Sequence, residues 1–303
     1  MSLNLINTRI LSSTFEYFEP SSVEEAIDIL GRYKEHAAVL AGGTDLLVRM
    51  KQKRIEPKYL VNIKRITKLK TIEQNSDLLH IGATATMLEI QRNEFVKENF
   101  PGLHEAIASI GSVQIRNMGT LGGNLCRASP AGDSPPPLLV LGAKVKLIDS
   151  MGSRILPVEE FIKGPGKTVI KPGEILAEIQ VPIQPHGTGM SFLKIKRAGM
   201  DLAKINAAAL LTLEDNVVQS CRIALGSVAP TAIRVRKAEE SLNGVKATDE
   251  MLGEAAQTAS EEVRPYAESH RHRRSTAQYR IDVSRVLVRR ALELARDRSS
   301  GRR

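Results

Sequence analysis

Val39-Leu40-Ala41-Gly42-Gly43-Thr44-Asp45-Leu46 and Thr120-Leu121-Gly122-Gly123-Asn124 are the two stretches that decide how this chain is read. Each follows an apolar or small-residue run and sets two glycines side by side. Glycine tolerates φ > 0 and lets the main chain approach a ligand closely. Consecutive N–H groups at such bends form concave nests for anions. One nest is compatible with a plain tight turn. Two of similar make-up in one domain-sized stretch imply a cofactor that runs across both, with a diphosphate in the middle.

The surrounding pattern predicts how these bends are carried. Phe15–Pro20 reads as a strand closed by proline. A helix follows, capped by Ser21 or Ser22, with Val23, Ala26, Ile27 and Leu30 on its apolar face and Gly31 as its stop. Ala37–Ala41 is a strand running into the first glycine pair. Leu46, Leu47 and Met50 open a short helix, and Tyr59–Ile63 is another strand. Residues 1–63 are therefore expected to form a β-α-β-α-β subdomain. Residues 64–184 read as a second, α+β subdomain. Residues 69–72 and 78–81 read as a strand pair, 86–92 and 103–110 as helices, Ser129–Pro137 as a rigid loop that is neither regular helix nor central strand, and most of 138–141, 144–149, 152–157 and 175–181 as strands. Residues 188–297 are expected to pair strands at 191–195, 205–213 and 219–225 with helices from Thr231 onward. Residues 298–303 read as a basic tail. The fold class is α+β.

The first bend lacks the third glycine of G-x-G-x-x-G and the lysine of a P-loop, which disfavours a nicotinamide Rossmann site or a nucleoside triphosphatase. Asp45 is unsuited to phosphate and is expected to cap the following helix. In the second stretch, the Thr120 hydroxyl and Asn124 amide are neutral groups fit for phosphate, a ribityl chain or a ring edge. Asp133, in the proline-locked loop, is suited to sugar hydroxyls or to an ordinary turn.

Composition narrows the function further. The chain has 303 residues, a formal charge of +9 and two cysteines, Cys126 and Cys221. Two thiols are too few for a disulfide framework or a chain-ligated iron–sulfur cluster. No run reaches the roughly 18 apolar residues of a membrane span. No secretory signal is evident at Met1–Asn4, so a cytoplasmic location is expected. Basic residues gather near the end: Arg271, Arg273, Arg274, Arg280, Arg285, Arg289, Arg290, Arg296, Arg298, Arg302 and Arg303. Without interleaved aromatics they read as a solvated face or a docking surface for an acidic subunit, not as a nucleic-acid platform. The histidines lack metal spacing, and no residue stands out as acid, base or nucleophile.

Four segments then carry a specific resemblance: AGGTDL (41–46), IRNMGTLGGNLCRASPAGDSPPPLLVLGA (115–143), FLKIKRAGMDLAKI (192–205) and STAQYRIDVSRVLVRRAL (275–292). In order and spacing the chain resembles the FAD-binding medium subunit of the molybdenum hydroxylases, the carbon monoxide and xanthine dehydrogenase family. The resemblance implies a two-part FAD-binding domain of the PCMH type, followed by an antiparallel sheet with packed helices. It places FAD on Val39, Leu40, Ala41, Gly42, Gly43, Thr44, Asp45 and Leu46, and on Thr120, Leu121, Gly122, Gly123 and Asn124. Ile110, Asp133, Leu176 and Lys194 complete that set. It also implies partners: a large molybdopterin subunit and a small subunit with two [2Fe–2S] clusters. Electrons would pass through FAD to an external acceptor, whether NAD, a quinone or a carrier protein. Two alternatives stay open at this point. One is a self-contained FAD oxidoreductase; the other is a basic binding protein in which the glycine pairs are only turns. Valine at Gly42 or Gly123 is expected to abolish FAD binding with the fold intact.

Overall fold

The computed structural model describes residues 11, 13–264 and 275–301. The first unit is a three-stranded parallel sheet of order β1-β3-β2, built from β1 (Glu16–Phe18), β2 (Ala37–Leu40) and β3 (Tyr59–Asn62). Helices α1 (Val23–Tyr33) and α2 (Leu46–Lys51) make the crossovers. Ser22 starts α1, its side chain accepting the Glu25 N–H at 3.1 Å, and Val23, Ala26, Ile27 and Leu30 are buried on one face. Gly31 does not stop this helix as expected. The space beside it is open, and α1 runs on to Tyr33, whose ring stacks on Tyr59 with 3.7 Å between centroids. That stacking favours the extra turn; the left-handed Lys34 (φ 45°) then ends the helix.

The second unit is a five-stranded antiparallel sheet of order β4-β5-β10-β6-β7, comprising β4 (Ile72–Gln74), β5 (Leu78–Gly82), β6 (Lys144–Asp149), β7 (Gly152–Pro157) and β10 (Ile175–Pro182). A small hairpin, β8 (Ile162–Gly164) with β9 (Lys167–Thr168), follows the helical turn α9 (Val158–Phe161). Between β5 and β6 lie α3 (Met87–Arg92), α4 (Glu94–Asn99), α5 (Pro101–Ala108), α6 (Val113–Met118), α7 (Leu121–Arg127) and α8 (Pro135–Val140). Thr86 and Glu89 cap α3 reciprocally, and Asn93 starts α4, a helix absent from the sequence reading.

Two expectations fail here for one physical reason. The Pro135–Pro137 run does not forbid a helix, and Leu138–Leu141 is not a strand. The three prolines form the first turn of α8, where their missing N–H groups would have had no intrahelical partner. All six α8 residues are buried, packed against the third sheet. Thr67–Leu69 is likewise a 3₁₀ turn, so the expected strand at 69–72 begins only at Ile72.

The third unit is the antiparallel sheet β11-β12-β13-β14, from β11 (Thr188–Ile195), β12 (Ile205–Glu214), β13 (Val217–Gly226) and β14 (Ile233–Arg234). Helices α10 (Arg236–Leu242), α11 (Asp249–Glu262) and α12 (Ala277–Ser299) cover it. The region after Thr231 therefore begins with a strand, with Ile233 paired to Leu225, and turns helical at Arg236. Apolar β12 residues Ala207, Ala209 and Leu211 meet Val288, Ala291, Leu292 and Ala295 of α12 in one buried cluster. Glycines permit this closeness: a Cβ at Gly189 would lie 1.9 Å from the Ala295 carbonyl oxygen.

Strand β11 fastens the third unit to the second. Arg298 donates to the Met190 carbonyl oxygen at 2.7 Å and to Glu105, whose other carboxylate oxygen accepts the Phe192 N–H at 3.0 Å. Arg298 is thus structural and helical, not part of a loose tail. Several other C-terminal arginines are also engaged. Arg280 is buried and donates to the Ser227 carbonyl, Arg289 pairs with Glu293, and Arg296 pairs with Asp249. Arg271, Arg273, Arg274, Arg302, Arg303, His270 and His272 lie outside the described residues. No described helix is long and apolar enough to cross a membrane.

Candidate functional site

A cavity of about 460 Å³ opens where the three units meet. Its wall includes Val39, Ala41, Gly42, Gly43, Thr44, Asp45 and Leu46 from the first unit, and Ile110, Thr120, Gly122, Gly123, Asn124, Asp133 and Leu176 from the second. Lys194 comes from β11 of the third. Two residues of the expected set face elsewhere. Leu40 is buried in a small cluster with Met50 and Leu60, and Leu121 is fully buried in the main core. Alternation along β2 and the turn of α7 point them inward, so each supports the motif from behind.

The two glycine motifs differ in kind. At the first, Gly43 takes a left-handed φ of 77°. The N–H groups of Gly42, Gly43, Thr44 and Asp45 take no hydrogen bond within the described residues. Four successive free amides beside a cavity form a ready anion cradle. Arg49 and Arg127 also line this cavity and add positive charge.

The second motif is not a turn and not a nest. Gly122 and Gly123 lie in the first turn of α7, which Thr120 caps. The motif's four helical amides are already engaged: Leu121 to Ala85 O, Gly122 to Ala83 O, Gly123 to the Thr120 hydroxyl and Asn124 to Thr120 O. The glycines serve closeness instead. A Cβ at Gly122 would come within 2.6 Å of the Ala83 carbonyl oxygen, whereas one at Gly123 meets nothing but the Thr120 hydroxyl. Asn124 accepts a hydrogen bond from Ser134 at 2.7 Å through Oδ1, which leaves its NH₂ group for the cavity.

Asp45 does not cap α2 as expected. Its carboxylate instead accepts from Arg127 Nε at 3.1 Å, tying the first motif to the end of α7. Asp133 is likewise not a free acceptor. Lys194 Nζ lies 2.6 Å from Oδ2, and Asn206 Nδ2 lies 2.7 Å from Oδ1. Both side chains of the Lys194–Asp133 pair are only 4% exposed. Burial pushes the Asp133 carboxyl above its ordinary range, against the pull of Lys194 and Asn206. Cys126 lines the cavity too, and burial pushes its thiol up to about 12, so it is inert at neutral pH.

Several lining residues escaped the sequence reading: Ala83, Met87, Arg49, Ile170, Glu174 and Met200. Only Glu174 carried a signal, as the first residue of Glu174-Ile175-Leu176. Its side chain is 2% exposed and takes a two-pronged contact from Arg154, at 2.7 and 2.8 Å. Burial pushes the Glu174 carboxyl up, but Arg154 and the Lys171 amide outweigh it and hold it below the ordinary range. A depressed folded-state pKa stabilises the fold above the unfolded value and loses that contribution as pH falls through the folded one. Glu174→Gln is therefore expected to lower the melting temperature at pH 7, with the gap to the parent closing below about pH 4. Thermal melts of the two proteins across that range check this.

With the geometry in place, comparison gives the family. Residues 13–184 match the model of the FAD-binding domain in molybdopterin dehydrogenase, and residues 190–295 match the carbon monoxide dehydrogenase flavoprotein C-terminal domain. The chain belongs to the molybdopterin-dehydrogenase FAD-binding family. It is 34% identical to the carbon monoxide dehydrogenase medium chain of Hydrogenophaga pseudoflava, over 93% of this chain and 96% of that one. It is 31% identical to the caffeine dehydrogenase subunit beta of Pseudomonas sp. strain CBB1, over 94% and 96%. Among solved structures, a Cu,Mo carbon monoxide dehydrogenase superposes with a TM-score of 0.90 at 32% identity, covering 95% of this chain and all of that one. The free amides at 42–45 are donors of a kind that suits an anion, and Arg49 and Arg127 line the same cavity.

Proposed function

We infer that this chain is the FAD-carrying electron-transfer subunit of a multi-subunit molybdenum hydroxylase. In this reading electrons come from [2Fe–2S] clusters on a small partner subunit and leave for an external acceptor, NAD, a quinone or a carrier protein. Organic substrate is oxidised at molybdopterin on a large partner. The flavin supplies the redox chemistry; the protein supplies binding, orientation and tuning. The observation that carries the reading is the run of amides at Gly42–Asp45, unpartnered among the described residues, in residues that line a cavity to which all three units contribute.

Each residue then has a task. The 42–45 amides hold the diphosphate. Gly123 leaves the cavity floor bare, and the Asn124 NH₂ group and Thr120 hydroxyl offer neutral contacts. Ile110, Leu176 and Met87 give the cavity its dry walls. Lys194 and Asp133 fix the boundary between the second and third units at its rim.

Gly123→Val tests this directly. Gly123 lines the cavity, and outside its own helix a Cβ there meets only the Thr120 hydroxyl, at 2.9 Å. The variant is expected to fold with near-parent circular dichroism and to purify without FAD. The parent, reconstituted with excess FAD, is expected to hold equimolar flavin. Full flavin occupancy in the valine variant would show that the cofactor sits elsewhere.

A further inference from the structure

Glu174 is a buried residue of the cavity wall, and the partner of its carboxylate, Arg154, stands outside the cavity. Arg154 lies on the edge strand β7, paired across to Leu147, and is not a lining residue. Its guanidinium reaches from this edge strand to Glu174. Nε and Nη2 grip both Glu174 oxygens, and Nη2 also donates to the Val169 carbonyl at 2.9 Å. The loop closes on itself at the same point. Lys171 N–H donates to Glu174 Oε2 at 3.0 Å, and Glu174 N–H donates to the Lys171 carbonyl at 3.0 Å. One arginine therefore fixes residues 169–174, the segment that leads into β10, and Ile170, Glu174, Ile175 and Leu176 along it line the cavity.

We propose that Arg154 is a positioning residue for the flavin: it holds the 169–176 wall in place and cancels the charge of Glu174 beside the cofactor. The proposal rests on the FAD reading of the cavity. A fixed negative charge near a flavin disfavours its reduction, so Glu174, where it stays ionised without Arg154, drives the midpoint potential more negative; the potentials are therefore read at alkaline pH, where burial no longer keeps the carboxyl protonated. The fork geometry matters separately from the charge. A lysine at 154 carries the cation but cannot span both carboxylate oxygens and the Val169 carbonyl at once.

These two roles separate in four full-length variants titrated with FAD and poised by dye equilibration. Arg154→Met is expected to bind FAD about tenfold more weakly, the loss of a charge-assisted, two-pronged contact, and to shift the bound flavin to a more negative potential. Arg154→Lys is expected to lose affinity while keeping a potential near the parent's. Glu174→Gln, with no carboxylate to cancel, is expected to show no negative shift. The double variant Arg154→Met with Glu174→Gln is expected to recover the parent potential. Parent-like potential and affinity in Arg154→Met, or a double variant as shifted as the single one, would overturn the proposal. A parent protein that takes up no FAD would instead overturn the cavity assignment itself, so the two failures are distinct.

Discussion

Gly42→Val yields a protein without FAD and with a weakened fold, and the second effect separates it from Gly123→Val. A Cβ at Gly42 would sit 2.3 Å from the Met118 carbonyl oxygen and 2.8 Å from the Gly119 Cα. Both are backbone atoms at the junction of α6 and α7, so no side-chain rotation relieves the clash. The segment must move, and it is pinned. Gly119 N–H donates to Ile115 O at 2.7 Å, Gly119 O accepts from Met87 N–H, and Arg116 clamps the Ile110 and Gly111 carbonyls. Overpacking of this kind costs about 3 kcal/mol. In a domain of this size that lowers the melting temperature by roughly 6–12 °C. The amide cradle and the α7 start separate together, so flavin binding is lost as well. The sequence alone suggested a silent fold for this variant; the contact with 118–119 reverses that. Calorimetry with flavin absorbance checks both parts, and an unchanged melting temperature would refute the close packing of the two motifs.

What could be read from the sequence was whatever a local period or a contiguous motif encodes. The apolar face Val23, Ala26, Ile27 and Leu30 announced α1, and the alternations of 144–149 and 175–181 announced two central strands. Fifteen of the seventeen expected site residues line one cavity, because motifs at 39–46 and 120–124 keep their order whatever surrounds them. Errors arose where a residue's usual meaning depends on position. Three prolines forbid a helix interior but suit its first turn, and a glycine pair reads as a bend until a threonine in front of it caps a helix. Partners distant in the chain left no trace. Arg127 took Asp45 from its cap across 82 positions, Lys194 and Asn206 took Asp133, and Arg154 reached Glu174 from an edge strand.

Asp133→Asn is expected to be the most damaging near-isosteric change in the cavity wall, and its cost is electrostatic. Asparagine keeps an acceptor for Asn206 Nδ2, and Asn206 also donates to the Gly132 carbonyl at 3.1 Å, so that side of the network survives. Lys194 does not fare as well. Its ammonium is 4% exposed and keeps the Ser109 carbonyl at 3.2 Å but no counter-charge. Removing one partner of a buried ion pair costs about 3–5 kcal/mol, whereas replacing both with neutral groups of similar volume costs far less. The double variant Asp133→Asn with Lys194→Met should therefore recover most of the stability that the single variant loses. Flavin binding should follow the same order, because Lys194 enters the cavity from β11 while Asp133 enters from the loop before α8. The pair joins the loop before α8 to β11, and so the second unit to the third. Denaturant unfolding of the parent, both single variants and the double gives the coupling energy. A value near zero would mean that the junction is held by its other contacts, among them Arg298 on Glu105 and Asn206 on Gly132, and that the buried pair is dispensable to it.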